Sequence, residues 1–207
     1  MIVDEFIQIA SLSLRQRSGI ETLRVKAVRP SPRGPEILYE HGPIGPPPPT
    51  SFGAAPPRPT GEEVLECVAR MLRIRWQRGT PKAIAPADTA WRDEIEKHHP
   101  GMFEAGGPHS WSGWRFLWQV GAEWIDEVGR PADWETAQTK EKFGSARWYV
   151  DGKLKPKHHA IVRCVEIVSG YTCEYCGAPG LLRKGAWAKV TCEAHSEGRK
   201  AIRHDDD

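Results

Sequence analysis

Hydrophobic and polar positions follow more than one period along this chain, and the changes of period mark its predicted elements. Over residues 2–14, β-branched and aliphatic side chains mix with polar ones, which predicts a strand. Ser18-Gly19 turns the chain into a second strand over residues 20–28, and Glu36-Ile37-Leu38-Tyr39 adds a short third. From Thr60 the pattern becomes helical. Thr60-Gly-Glu-Glu63 has the form of a capping box, and Val64, Leu65, Val68, Met71, Leu72 and Trp76 follow at helical spacing until Gly79 and Pro81 stop the run. Arg70, Arg73, Arg75 and Arg78 fall on what this spacing makes the solvent side. Asp88 caps a second helix carrying Trp91 and Ile95, which ends at His98-His99-Pro100.

The strongest helical signal spans residues 110–128, where Trp114, Leu117, Trp118, Gly121, Trp124, Ile125 and Val128 make one broad apolar face closed by Gly129 and Pro131. Period two returns over residues 134–150, predicting a hairpin bent at Gly144. Trp134, Thr136, Gln138 and Lys140 would share one face of its first strand, and Ala146, Trp148 and Val150 one face of its second. A last helix over residues 156–169 turns Ile161, Cys164, Val165 and Val168 inward and stops at Gly170. Prolines thicken between residues 30 and 59 and include Pro46-Pro47-Pro48-Pro49, a density that suits neither helix interior nor central strand. The expected organisation is α+β: an N-terminal β region (residues 1–40), a Pro-rich linker (41–60), a Trp-rich helical and hairpin core (61–170), a metal-binding module (171–204) and an acidic tail (205–207).

Composition narrows the function classes. A formal net charge of +2 gives no global signature of a nucleic-acid binder, although Lys and Arg outnumber Asp and Glu two to one over residues 151–204. Nine Trp imply large aromatic surface buried in a core or an interface. Five Cys, with Cys67 and Cys164 isolated on helical patterns, fit a reducing compartment better than a disulfide scaffold. The acidic start Met1-Ile-Val-Asp-Glu-Phe is no signal peptide, and no apolar run approaches the ~20 residues of a membrane span, so a cytoplasmic protein is expected.

The clearest chemistry is Cys173-Glu-Tyr-Cys176 followed by Cys192-Glu-Ala-His195. Each pair can converge on one point, the first from a tight turn and the second from the first turn of a helix. Three thiolates and one imidazole fill the tetrahedral shell of a structural zinc ion. Gly177-Ala-Pro-Gly180 between the pairs is turn chemistry, and residues 181–183 and 187–191 read as two short strands joined around Gly185. Knuckle, hairpin and helix start make a treble-clef-like zinc finger that holds one structural zinc ion.

No catalytic residue follows from this. Residues 177–191 contain no His, Asp or Glu with which an HNH-type nuclease would activate water. Asp133 with Asp151-Gly152-Lys153 is the one pattern of a metal-dependent nuclease, and Asp-Gly after a strand reads more simply as a hairpin turn. The adjacent His98 and His99 point about 100° apart on a helix and read as a helix end. The candidate macromolecule-binding residues are Lys184, Lys189, Arg199, Lys200 and Arg203 near the metal module, with Lys140, Lys142 and Arg147 on the hairpin.

Taken together, His99-Pro100-Gly-Met-Phe103, Gly113-Trp114, Lys140-Glu141-Lys142-Phe143-Gly144-x-x-Arg147 and the Cys173–His195 module resemble a group of uncharacterised proteins encoded by phages and prophages. Ala146 and Trp148 depart from that pattern, where a larger aliphatic residue and Phe are usual, and the first ~90 residues fall outside it. The resemblance implies an accessory protein and carries no established activity. The expectation is a non-enzymatic protein that inhibits or redirects a host macromolecular assembly, for instance as an anti-defence inhibitor. The alternative is a nucleic-acid-binding zinc-finger protein and, behind it, a metal-dependent nuclease.

Overall fold

The first element overturns the expected N-terminal strand. In the computed structural model, which describes residues 1–47, 57–81, 85–185 and 187–202, α1 (Ile2–Ser13) is a helix. Its buried residues Ile2, Phe6, Ile9 and Ala10 recur every three to four positions, so the isoleucines carry a helical face despite their β preference. The β region of residues 1–40 therefore reduces to one hairpin, β1 (Arg24–Arg29) with β2 (Glu36–Glu40), bulged between Val25 and Ala27. Phe6 meets Tyr39 at 5.0 Å between ring centroids, joining α1 to this hairpin.

The capping box at Thr60 forms as expected at the start of α2 (Gly61–Arg75). Thr60 Oγ1 accepts from the Glu63 N–H (3.2 Å) and Glu63 Oε2 accepts from the Thr60 N–H (2.8 Å). Arg75 departs from its expected solvent side. It is buried and donates through Nη1 to both carboxylate oxygens of Glu5 (2.8 and 2.7 Å), while Trp76 Nε1 donates to the same carboxylate. Helix α1 supplies the anion, which sequence spacing within α2 cannot reveal. In α3 (Ala90–His98), Asp88 accepts from the Ala90 N–H at 3.0 Å, and His99 binds Asp126 at 2.6 Å, so the two histidines end the helix as read.

Helix α4 (Arg115–Glu127) is buried on nearly every face and packs against α2 and against α5 (Pro156–Ser169). Gly121 permits the approach: a Cβ there would lie 2.7 Å from the Trp148 ring and 3.0 Å from Val165. The aromatic stripe is core, with Trp148 at the centre of Phe103, Trp118 and Trp134 at 5.0, 5.7 and 5.7 Å. Trp148 sits on β4 (Ser145–Asp151), which pairs with β3 (Glu135–Lys142). A bulge between Thr136 and Gln138 shifts the phase of β3, so its buried positions are Thr136 and Thr139 rather than the single alternating face expected.

Phe143 (φ 52°) and Gly144 (φ 75°) make the two-residue left-handed turn of this hairpin. One apolar cluster runs from Ile2, Phe6 and Leu14 through α2 and α4 to Val168 of α5, so α1 shares the core of residues 61–170. Among the described residues no helix is long and apolar enough to cross a membrane. The acidic tail and residues 48–56 of the Pro-rich linker lie outside the described residues.

Candidate metal centre

Helix α5 delivers the chain directly to the knuckle. The Cys173 N–H donates to Ala178 O (2.7 Å) and the Gly177 N–H to Cys173 O (2.9 Å), closing a turn that brings Cys173 and Cys176 together. Gly177 adopts φ 73°, and a Cβ there would lie 2.9 Å from the Phe116 ring, so glycine satisfies both the turn and the close packing on α4. β5 (Leu181–Arg183) and β6 (Lys189–Thr191) form the expected hairpin. Cys192 and His195 then bracket a single 3₁₀ turn, Glu193–His195, where a helix start was expected. Beyond it the chain doubles back instead of continuing as a helix: the Lys184 N–H donates to Lys200 O (3.0 Å) and the Ile202 N–H to Leu182 O (2.8 Å).

The four candidate ligand atoms all lie within 4.8 Å of one another, compatible with a single metal site. Cys176 Sγ is 3.7 Å from Cys192 Sγ, and His195 Nδ1 is 3.6 Å from Cys173 Sγ and 3.3 Å from Cys192 Sγ. A tetrahedral ion with metal–sulfur bonds of about 2.3 Å and metal–nitrogen bonds of about 2.0–2.1 Å requires sulfur–sulfur edges near ~3.8 Å and sulfur–nitrogen edges near ~3.6 Å. The residues fit such an ion. Within the cluster, the Cys176 thiol and backbone N–H groups stabilise the Cys173 thiolate and push its pKa down to about 4. The same interaction raises Cys176, and burial raises Cys192. Cys67 and Cys164 lie apart in the core; burial pushes Cys67 up to about 12 and raises Cys164 too, so both are inert thiols.

Several groups that sequence reading passed over hold this centre. Arg183 is buried; it donates from Nε to Thr191 O (3.2 Å), from Nη1 to Arg199 O (2.9 Å) and from Nη2 to Glu193 (2.7 Å), tying β5, β6 and the returning segment together. Glu174 is 1% exposed, accepts from the Val190 N–H at 2.8 Å, and is raised to about 7 by burial. Three hydrogen bonds anchor the knuckle to the helical core: Gly113 N–H to Glu174 O (2.7 Å), Trp114 Nε1 to Thr172 O (2.7 Å) and Arg75 Nε to Cys176 O (3.3 Å).

The expected basic residues fall into separate settings. Lys184 and Lys200 are exposed and adjacent. Lys189 is half-buried, donating to Tyr175 Oη (2.5 Å) and lying over the Trp111 and Tyr175 rings at 5.2 and 5.0 Å. Arg199 pairs with Glu197 at 2.9 Å. Lys140 donates to Gln138, Lys142 lies 5.6 Å from the Phe143 ring, and Arg147 faces Glu166 at 3.7 Å. Arg203 lies outside the described residues. Asp133 accepts from the Lys153 N–H at 3.1 and 3.2 Å, which makes Asp151-Gly152-Lys153 a backbone-capped turn. Two aromatic side chains stand out in the open: Phe143 is 76% exposed and Trp187 is 64% exposed.

No family model, curated protein or solved structure matches this chain.

Proposed function

We propose that this chain is a zinc-stapled, non-enzymatic accessory protein of the phage type, which binds a host protein assembly and inhibits or redirects it. Three thiolates and one imidazole in a closed shell favour zinc and leave no open position for a substrate. The module is treble-clef-like in its order of knuckle, hairpin and ligand-bearing turn, with the 3₁₀ turn in place of a helix.

The observation that carries the reading is the pair Phe143 and Trp187, where the β3–β4 tip meets the β5–β6 hairpin. Gly144 lets the tip approach, since a Cβ there would lie 2.4 Å from Leu182 Cδ1. Glu141 accepts from Trp187 Nε1 at 2.7 Å and so orients the exposed indole. Large aromatics held in the open by fixed backbone are the side chains from which interface anchors are built.

The test is affinity purification from bacterial lysate, with and without nuclease treatment, using wild type, Phe143→Ala and Trp187→Ala. One recurring protein partner, retained after nuclease and reduced more than about tenfold by either substitution, is expected. Recovery unchanged by both substitutions overturns the assignment of this face.

A nucleic-acid partner is the second reading, favoured by Lys142 beside Phe143 and by exposed Lys184 and Lys200, which adjoin on the segments flanking Trp187. Stacking platforms interleaved with cations are how single strands are held. Binding that falls steeply with added salt, and partners lost on nuclease treatment, would place it first.

A further inference from the structure

A cavity of about 330 Å³ opens where the end of α1 meets β4 and α5. Among its described lining residues the charge is lopsided: Arg15, Arg17, Arg58, Arg147 and Arg163 stand against one carboxylate, Glu166. Glu166 is shared, facing both Arg147 (3.7 Å) and Arg163. Among the described residues neither Arg15 nor Arg17 has a carboxylate partner, and Arg15 instead lies over the Tyr171 ring at 5.1 Å. Arg17 is 7% exposed, and among the described residues its Nη1 finds no hydrogen-bond partner; nor does the buried Ser13 Oγ, which lines the same cavity. Burial lowers the Arg17 pKa and outweighs the attraction of the Glu62 and Glu63 carboxylates on α2. A guanidinium desolvated without a hydrogen-bonded anion is costly.

We infer that this cavity is a binding site for a phosphate monoester of about mononucleotide size. Several guanidiniums around one void offer the planar, multi-donor geometry that matches phosphate oxygens, which Lys cannot reproduce. The volume sits at the small end of the range for ligand sites, about 300–1,000 Å³, enough for a phosphate and a sugar-sized body. Leu12, Ile167 and Tyr171 supply apolar wall. Glu166 holds the free site together by neutralising two of the arginines, and an entering phosphate competes with it for Arg147 and Arg163. Neither Phe143 nor Trp187 lines this cavity, and the site stands without the proposed protein-binding face.

Calorimetric titration of the full, metal-loaded chain with adenosine 5′-monophosphate, inorganic phosphate and adenosine tests this. Adenosine 5′-monophosphate should bind with Kd below about 1 mM, more tightly than phosphate, and adenosine should not bind. Arg147→Gln should weaken binding about tenfold. Glu166→Gln should tighten it, an effect that a purely structural role for these residues does not produce. Arg163→Gln serves if Arg147→Gln fails to fold. No heat from either anion, binding unchanged in the arginine variant, or weakened binding in Glu166→Gln overturns the site. Binding of phosphate alone overturns the mononucleotide-sized ligand.

Discussion

Loss of one ligand should unfold the metal module and weaken the core beneath it. In Cys176→Ser, three donors remain for an ion that needs four, and the ion should be lost. Past Tyr171 the buried apolar side chains among the described residues are Cys173 and Val190. A buried aliphatic side chain contributes about 1.5–3 kcal/mol, whereas ordering backbone costs about 1–2 kcal/mol per residue. The strands β5 and β6 have three residues each and cannot close that gap. The metal-free module should therefore be disordered.

The consequence for the core follows from the three anchoring bonds made by Gly113, Trp114 and Arg75. At about 0.5–1.5 kcal/mol each, their loss destabilises the remainder by roughly 1.5–4.5 kcal/mol. That corresponds to a fall in Tm of roughly 3–18 °C for a chain of this size. Metal content by mass spectrometry, a thermal melt and hydrogen exchange give the readout. The Glu174, Val190, Lys184 and Ile202 amides should lose protection while α4 keeps its own. A metal-free Cys176→Ser protein with those amides still protected and its Tm unchanged would refute the reasoning.

Three further outcomes are expected. Arg75→Met should destabilise by about 3–5 kcal/mol, because Glu5, itself largely buried, would lose its cation; a urea melt shifted by less than about 1 kcal/mol would show the pair to be dispensable. Gly113→Ala places a Cβ 2.3 Å from Cys173 O and 2.4 Å from Glu174 O, both backbone atoms, so it should cost about 1–3 kcal/mol and lower metal affinity in a chelator competition; unchanged affinity counts against the contact. His158 is buried and its pKa is lowered by desolvation, so the unfolded chain takes up the proton first as pH falls. Its contribution is fully present above the unfolded value of about 6.5 and is lost below it, by at most about 1.4 kcal/mol per pH unit. The stability of wild type relative to His158→Gln should therefore decline between pH 7 and 5.5, and a constant difference would contradict the assignment.

Local chemistry was legible along the chain. Thr60 and Glu63 cap a helix through atoms three residues apart, Gly144 turns a hairpin, and Cys173, Cys176, Cys192 and His195 converge through turns of their own making. Each depends on neighbours a few residues away or on one short hairpin, so spacing suffices. Helix α1 is not legible in the sequence, because isoleucines suit either period and only the packing of Phe6 against Tyr39 and the core selects one. The bulge in β3, which moves the buried position from Gln138 to Thr139, likewise has no mark in residue type.

Charge was the least legible of all. Arg75 belongs to a helix face that looks solvated until α1 brings Glu5 to it. Arg15 and Arg17 come from the segment after α1, Arg147 from β4 and Arg163 from α5, and nothing in their spacing says that they surround one cavity. Trp187 falls in a predicted short strand with no mark of exposure in its spacing, yet Glu141 holds it in the open. A ligand set or a cap is written in short-range geometry, which the chain order carries. Whether a guanidinium meets a carboxylate, an empty cavity or water depends on which distant element packs against it, and that is settled only when the helices close.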